Sequence, residues 1–291
     1  MELRHLRYFI AVAEEENVSR AALKLHVSQP ALSRQIHDLE DELGFALLER
    51  TAKSVRLTDA GRTFLEEARA VVQLSQQAVR NARAVATGEG GELRVGYAPS
   101  LTAYILPKAL RAFQAEGPGR RVVLHDLSTE EMMNQLRDGK LDVALAARPG
   151  AAALRGMDFE ELAHYPMCVA VPPDHPLAKL SAVPLAHVVS YPLIGYSRED
   201  YPEYEDHLQQ LFAGPRLKFR IAEEQQSVTS LIAAVEGGRG IALVPSCLTC
   251  LVGPRLKIVP LKDAAREIHV GAVSRKGASG LVERFIRGAK T

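Results

Sequence analysis

Gln29, Ser33, Arg34 and His37 recur at spacings of three and four residues, which puts donor-bearing side chains on one face if the segment is helical. The acids of the same segment, Asp38, Glu40, Asp41 and Glu42, gather at its far end. This polarity is what a major groove requires of an inserted helix: the N-terminal end approaches base edges and phosphates and the acidic end stays away. Shortly after come Arg50, Lys53 and Arg56, either a basic hairpin aimed at a phosphate backbone or a solvated turn. A second group lies far downstream. Ser100, Thr102, Ser128, Thr129 and Arg148 each follow one of three short apolar runs. Hydroxyls and amides at helix N-termini suit a carboxylate or other anion, and an arginine adds a bidentate partner. Their plainer reading is as helix caps and a surface cation. Ser227 would likewise open a helix toward a ligand, and Tyr196 and Tyr201 follow another strand-like run.

Other reactive types carry less. Cys247-x-x-Cys250 has half of a metal or redox spacing, but no second pair exists and both sit in the apolar run from Leu243 to Val252, where cysteine acts as a small hydrophobe. His5, His26 and His37 are too dispersed for a metal site. No glycine-rich phosphate loop, His-Glu-x-x-His or nucleophile elbow occurs. No metal, cofactor or catalysis is expected.

The elements that would position these residues follow from periodicity. Leu3, Leu6, Phe9, Ile10 and Ala13 form one apolar face of a first helix. Ser19 is expected to cap a second, with Ala21, Ala22 and Leu25 inward. The turn His26-Val27-Ser28 leads to a third, capped by Ser28, with Pro30 tolerated in its first turn. Ala31, Leu32, Ile36, Leu39 and Leu43 form its buried side, and Gly44 ends it. This is a helix-turn-helix by spacing. Val55 and Leu57 alternate with Arg56 in what reads as a two-stranded wing. From 59 to 87, Leu65, Ala68, Val72, Ser75, Val79, Ala82 and Ala86 step by three and four, the seam of a coiled coil, on a rod of roughly 43 Å. Such a rod pairs with a copy of itself or packs on its own C-terminal domain.

After Thr87-Gly88-Glu89-Gly90-Gly91 the pattern turns to α/β. Strands are expected at 93–98, 122–127 and 141–146 with helices between, half of a doubly wound domain whose crevice lies beyond the strands' carboxyl ends. A second lobe would hold strands at 166–171, 189–195 and 217–221 and helices at 203–212 and 228–236. A strand at 268–273 and a helix from Leu281 return to the first lobe. The expected domains are a winged helix-turn-helix at 1–58, a dimerising helix at 59–87, and a two-lobed domain at 91–291. Its first lobe is 91–162 plus 267–291 and its second 163–266.

Length and charge set the bounds. At roughly 150 residues per domain, 291 residues make about two. Lys+Arg is 36 against Asp+Glu 35, a net charge of +1, which excludes a polycationic coating protein. Residues 1–58 hold eight Lys/Arg against nine Asp/Glu, so only placement reveals a nucleic-acid face. The start of the sequence shows no export-signal pattern, and no window of 18 apolar residues occurs. With three cysteines, a cytoplasmic protein without a membrane partner is expected.

Ser19-Arg20-Ala21-Ala22, the run from Leu25 through Ser28-Gln29-Pro30-Ala31-Leu32-Ser33-Arg34 to Ile36, Leu47-Leu48-Glu49-Arg50 and Leu57-Thr58-Asp59-Ala60-Gly61 resemble the LysR-type transcriptional regulators. Leu141–Leu145 and Gly237–Pro245 resemble that family's effector domain. The resemblance implies a winged helix-turn-helix, a dimerising linker helix, and a two-lobed domain similar to periplasmic binding proteins. It also implies homodimers or tetramers on an interrupted dyad of double-stranded DNA, upstream of a divergently transcribed operon. A small metabolite switches such proteins to activate the operon, with RNA polymerase as partner, and they often repress their own gene. Carried over, Gln29, Pro30, Ser33 and Arg34 face the major groove, where glutamine can read adenine and arginine guanine or a phosphate. The effector sits between the lobes, near Ser100, Thr102, Ser128, Thr129 and Arg148. Tyr196 and Tyr201-Pro202-Glu203-Tyr204 resemble a loop of members that control aromatic-compound breakdown, which makes a muconate or benzoate derivative the first ligand to consider; amino acids and sugar acids stay open. The rival reading is a solute-binding or enzymatic α/β protein whose N-terminal domain is only a tether.

Overall fold

The computed structural model describes residues 1–50, 55–86, 92–115, 120–213, 217–262, 267–278 and 280–290. The chain divides into two units, Met1–Thr87 and Gly88–Thr291.

In the first unit, helices α1 (Leu3–Glu15), α2 (Val18–Lys24) and α3 (Gln29–Leu43) enclose a core of Leu6, Phe9, Val12, Ala21, Leu32, Ile36 and Leu39. Alanine at 21 and 22 lets α2 come close. Asn17, not Ser19, caps α2, accepting from the Arg20 amide at 3.0 Å. The correction has a local cause: Glu16 adopts a left-handed conformation that ends α1, so the extended residue available for capping is Asn17. Left-handed His26 makes the next turn, and Ser28 caps α3 through the Ala31 amide.

The wing is β1 (Leu48–Arg50) paired antiparallel with β2 (Val55–Leu57). Glu40 fastens it to α3, its Oε1 accepting from the amides of Leu47 (2.8 Å) and Leu48 (3.0 Å). The Thr58 amide donates to the Leu47 carbonyl, and its hydroxyl accepts from the Gly61 amide as α4 (Asp59–Ala86) begins. Gly61 is required here by space, because a Cβ would lie 2.0 Å from the Leu47 carbonyl oxygen. Gly61→Ala is therefore expected to destabilise this unit by about 3 kcal/mol from overpacking. That outweighs the roughly 1 kcal/mol alanine gains in helix propensity, and thermal denaturation of the variant checks it.

The α4 stripe is divided differently from the expected seam. Ala68 and Val72 are buried and Leu65 is partly buried in the helical core, where α4 packs on α1. Phe64 stacks near Phe9 at 5.5 Å, and Arg69 pairs with Glu14 at 3.0 Å. Leu65, Ala68 and Val72 thus serve the unit's own interior. Val71, Leu74, Val79 and Ala82 remain exposed, Leu74 at 69% and Val79 at 60%.

The second unit begins with β3 (Glu92–Tyr97), α5 (Pro99–Thr102), α6 (Ile105–Ala115), β4 (Arg121–Asp126), α7 (Thr129–Arg137) and β5 (Val143–Ala147). The three strands are parallel in the order β4-β3-β5. The long β6 (Met157–Val171) follows, then β7 (Val183–Pro184), α8 (Leu185–Val188), β8 (Leu193–Tyr196), α9 (Pro202–Ala213), β9 (Ile221–Gln225) and α10 (Val228–Glu236). The chain continues through β10 (Ile241–Pro245), α11 (Thr249–Val252), β11 (Lys257–Lys262), β12 (Glu267–Arg275) and α12 (Gly280–Lys290). β12 lies between β5 and β6, antiparallel to both. β6 belongs to both lobes: it pairs with β12 through Pro166 and with β10 and β11 from Met167 onward. Two expected strands move. The run at 189–195 forms its strand only from Leu193, because the chain is still leaving α8 at Val189. The run at 217–221 gives way to β9 at 221–225, whose partner register is set by β8. Among the described residues, no helix is long and apolar enough to cross a membrane.

Candidate functional site

The first unit presents one polar surface. Gln29, Pro30, Arg34 and His37 are exposed along the first turns of α3, and Ser33 is half-buried beside them. Arg34 makes no hydrogen bond or ion pair with the described residues, whereas Arg20 and Lys24 on α2 are taken up by Glu15 and Glu14. The acids at the far end of α3 hold the chain itself: Glu40 the wing, Glu42 the amino terminus, Asp38 the Gln35 side chain, and Asp41 His37 at 3.8 Å. On the wing, Arg56 is exposed opposite Glu49. Lys53 and the Arg50 side chain lie outside the described residues.

The second unit contains a cavity of ≈ 560 Å³ at the carboxyl ends of its parallel strands. The first lobe contributes Ser100 after β3, Asp126 at the end of β4 and Arg148 after β5. The second contributes Tyr196 ending β8, Ser227 after β9, and the first turns of α9. This is where an open α/β sheet leaves backbone groups and helix starts facing a crevice. Arg148 stacks on the Phe159 ring at 5.0 Å while its amide donates to the His269 carbonyl. The ring contact positions the guanidinium and the amide bond fixes the backbone of Arg148 at the cavity's edge.

Of the residues singled out in the sequence, Ser100, Thr129, Arg148, Tyr196, Tyr201 and Ser227 line the cavity. Thr102 and Ser128 do not. Thr102 is 1% exposed and spends its hydroxyl on the Ala98 carbonyl, one turn back. Ser128 caps α7, bonded to Glu131 through both its amide and hydroxyl. Both are the helix-terminal roles that hydroxyls take by default. Tyr196, Tyr201 and Tyr204 form an aromatic wall with centroids 4.8 and 5.1 Å apart. The Tyr201 and Tyr204 hydroxyls donate to the carbonyls of Gln226 and Leu243. Burial pushes the Tyr201 phenol up to about 12, so these rings act as neutral surfaces.

Sequence reasoning missed the acids of the cavity. Glu203 follows Pro202 in the first turn of α9, a position where glutamate is usually unremarkable dipole chemistry. Here it accepts from the Thr129 hydroxyl of the opposite lobe at 2.7 Å, while the Glu130 amide donates to the Asp200 carbonyl at 3.1 Å. Burial pushes the Glu203 carboxyl up to about 7, with the Thr129 bond pulling the other way. Asp126 is raised by burial and by the nearby Glu131. The apolar reading holds for Cys247, which is buried like Cys168 and whose thiol burial pushes up to about 12, well away from a reactive thiolate; Cys250 departs from it, being exposed with its thiol donating to the Cys247 carbonyl. Among the described residues no cluster could hold a metal ion.

Residues 3–62 match the family described as bacterial regulatory helix-turn-helix protein, lysR family, and residues 86–290 match the LysR substrate binding domain. The chain is 34% identical over 288 residues to the HTH-type transcriptional regulator CatR of Pseudomonas putida, covering 98% of this chain and 97% of that one. It is 36% identical over 249 residues to the Hca operon transcriptional activator HcaR of Escherichia coli K12, covering 84% and 82%. Its fold matches full-length CbnR complexed with its target DNA at a TM-score of 0.64 and 30% identity, covering 100% of this chain and 99% of that one. The relatives are named as regulators, not enzymes. With a helix-turn-helix unit whose third helix exposes Gln29, Arg34 and His37 and a second unit built around a strand-end cavity, the chain belongs to the LysR family of DNA-binding transcriptional regulators.

Proposed function

We propose that a small carboxylate-bearing metabolite, bound between the lobes of the second unit, switches this regulator between activating a catabolic operon and repressing its own gene. The observation that carries the reading is the cavity: Arg148 stands at the carboxyl end of β5 with its guanidinium oriented by Phe159, in a crevice walled by three tyrosines. A planar unsaturated acid of the muconate or benzoate type suits such a wall. The activator reading draws on HcaR, which is named as an activator of its operon. The partners in this reading are an interrupted DNA dyad, contacted through α3 and the wing, and RNA polymerase when the protein activates. The protein acts in the cytoplasm as a homodimer or homotetramer, its domains running over 1–58, 59–87 and 91–291.

Footprinting of the DNA upstream of the protein's own gene, with and without extract from benzoate-grown cells, tests the switch. The expected result is protection of an interrupted dyad that shortens or shifts with extract; protection indifferent to any extract removes it. In Arg148→Ala the dyad stays protected, and the extract needed for the shift rises roughly tenfold or more, as for loss of a charge-assisted hydrogen bond.

The pairing surface of α4 follows from what α1 leaves uncovered. Val71, Leu74 and Val79 are the large apolar side chains exposed on that helix among the described residues. The double variant Leu74→Glu/Val79→Glu is expected to sediment as a lower oligomer with an unchanged head fold, whereas Ala68→Glu, directed into the α1–α4 core, unfolds the head instead.

A further inference from the structure

We infer that the ligand of the interlobe cavity is a monoacid carrying a second polar group, a hydroxyl or an ammonium, that donates a hydrogen bond to Glu203. The inference rests on the proposed carboxylate reading of this cavity and narrows it: of the two acid types considered there, it selects a monoacid of the benzoate type over a dicarboxylate such as muconate. Glu203 lines the cavity from α9, and its two oxygens are used unequally. Oε1 accepts from Thr129 at 2.7 Å, across the line where the lobes meet, while Oε2 is buried with no hydrogen-bond partner. A buried acceptor without a donor is costly; protonation, which burial already favours at Glu203, relieves part of that cost, and a donor on a ligand relieves it while keeping the carboxylate. The unfilled capacity therefore favours a ligand that supplies one.

Arg255, His207 and His269 line the cavity as well as Arg148, so the case against a second carboxylate is a local one, made by the acids beside Glu203. Asp126 and Asp206 also line this cavity, and Asp206 stands one turn along α9 from Glu203. Burial already disfavours the charged form of Glu203, and Asp206 and Glu130 add to that. A dicarboxylate would set its second anion among these acids, whereas a hydroxyl or ammonium stabilises them. Arg148, on the first lobe after β5, remains for the carboxylate. A ligand held by Arg148 and Glu203 touches both lobes, which is what a closing cleft needs in order to couple binding to conformation.

Matched probes on the full-length protein test this by calorimetry: benzoate, 3-hydroxybenzoate, 3-(aminomethyl)benzoate and isophthalate, with pentanoate, 5-hydroxypentanoate and glutarate as the aliphatic set. In wild type, the donor-bearing monoacid of the set that binds is expected to be roughly tenfold tighter than its parent, and the dicarboxylate weaker than either. In Glu203→Met, similar in length but without an acceptor, that preference collapses to parity, whatever the variant's absolute affinity for the parent acid once the Thr129 bond is lost. Glu203→Ala gives the same result if methionine disturbs the fold, which melting curves reveal. Equal binding of parent and donor-bearing acids in wild type, tightest binding of the dicarboxylate, or an unchanged preference in both variants overturns the inference while leaving the carboxylate reading intact. If no acid of either set binds wild type, the carboxylate reading falls and takes the inference with it.

Discussion

Arg34→Ala should lower operator affinity by about a hundredfold or more, with the melting temperature and effector affinity nearly unchanged. The side chain is exposed on the second turn of α3 and makes no hydrogen bond or ion pair with the described residues, so its removal costs the fold little. Its contribution is realised only on DNA. A bidentate contact to a base is worth roughly 1–3 kcal/mol, and an operator dyad engages two heads, which doubles the loss. Fluorescence anisotropy on the footprinted site measures this. The salt dependence then separates two roles, since a lost phosphate contact lowers the slope by about one per head, whereas a lost base contact relaxes sequence preference. Normal operator binding by the variant would mean that α3 is not the reading helix.

The third helix was legible because its requirements are local. A cap at Ser28, a proline in the first turn, buried positions at Leu32, Ile36 and Leu39 and a stop at Gly44 are all short-range facts. The strand ends of the second unit were legible for the same reason: the expected runs at 93–98, 122–127 and 141–146 became parallel strands ending at the cavity, and the returning run at 268–273 became the antiparallel β12. What periodicity could not settle was which neighbour covers a stripe. Leu65, Ala68 and Val72 follow the coiled-coil step, yet the helical core claims them, while Val79 and Ala82 of the expected seam stay exposed and are joined by Val71 and Leu74. Hydroxyls posed the same problem. Thr102, Ser128 and Thr129 look alike beside a helix start, and only the fold distinguishes those bonded to their own helix from the one that crosses to Glu203. Glu203 itself was invisible as a site, because an acid after a proline at a helix start has an ordinary explanation.

Asp142→Ala is expected to be the most destabilising single change in the second unit, by about 3–5 kcal/mol. Asp142 precedes β5, and its side chain is 8% exposed against 20% for Arg94 on β3. Its Oδ2 accepts from the Arg94 amide at 2.9 Å and from Nε at 3.0 Å, and its Oδ1 accepts from Nη2 at 2.8 Å. The Asp142 amide in turn donates to the Arg94 carbonyl at 2.9 Å. One carboxylate thus satisfies a main-chain donor and a bidentate guanidinium between adjacent strands, and alanine would leave all three donors without an acceptor in a poorly solvated place. At roughly 2–4 °C per kcal/mol for a unit of this size, the melting transition should fall by about 10 °C. Asp142→Asn, which keeps one acceptor oxygen, should fall by less. The pair lies near the start of β3 and ahead of β5, away from the strand ends that line the cavity. Protein that remains folded should therefore bind its effector normally, and weakened binding below the melting transition would show that the Arg94–Asp142 pair also shapes the cleft.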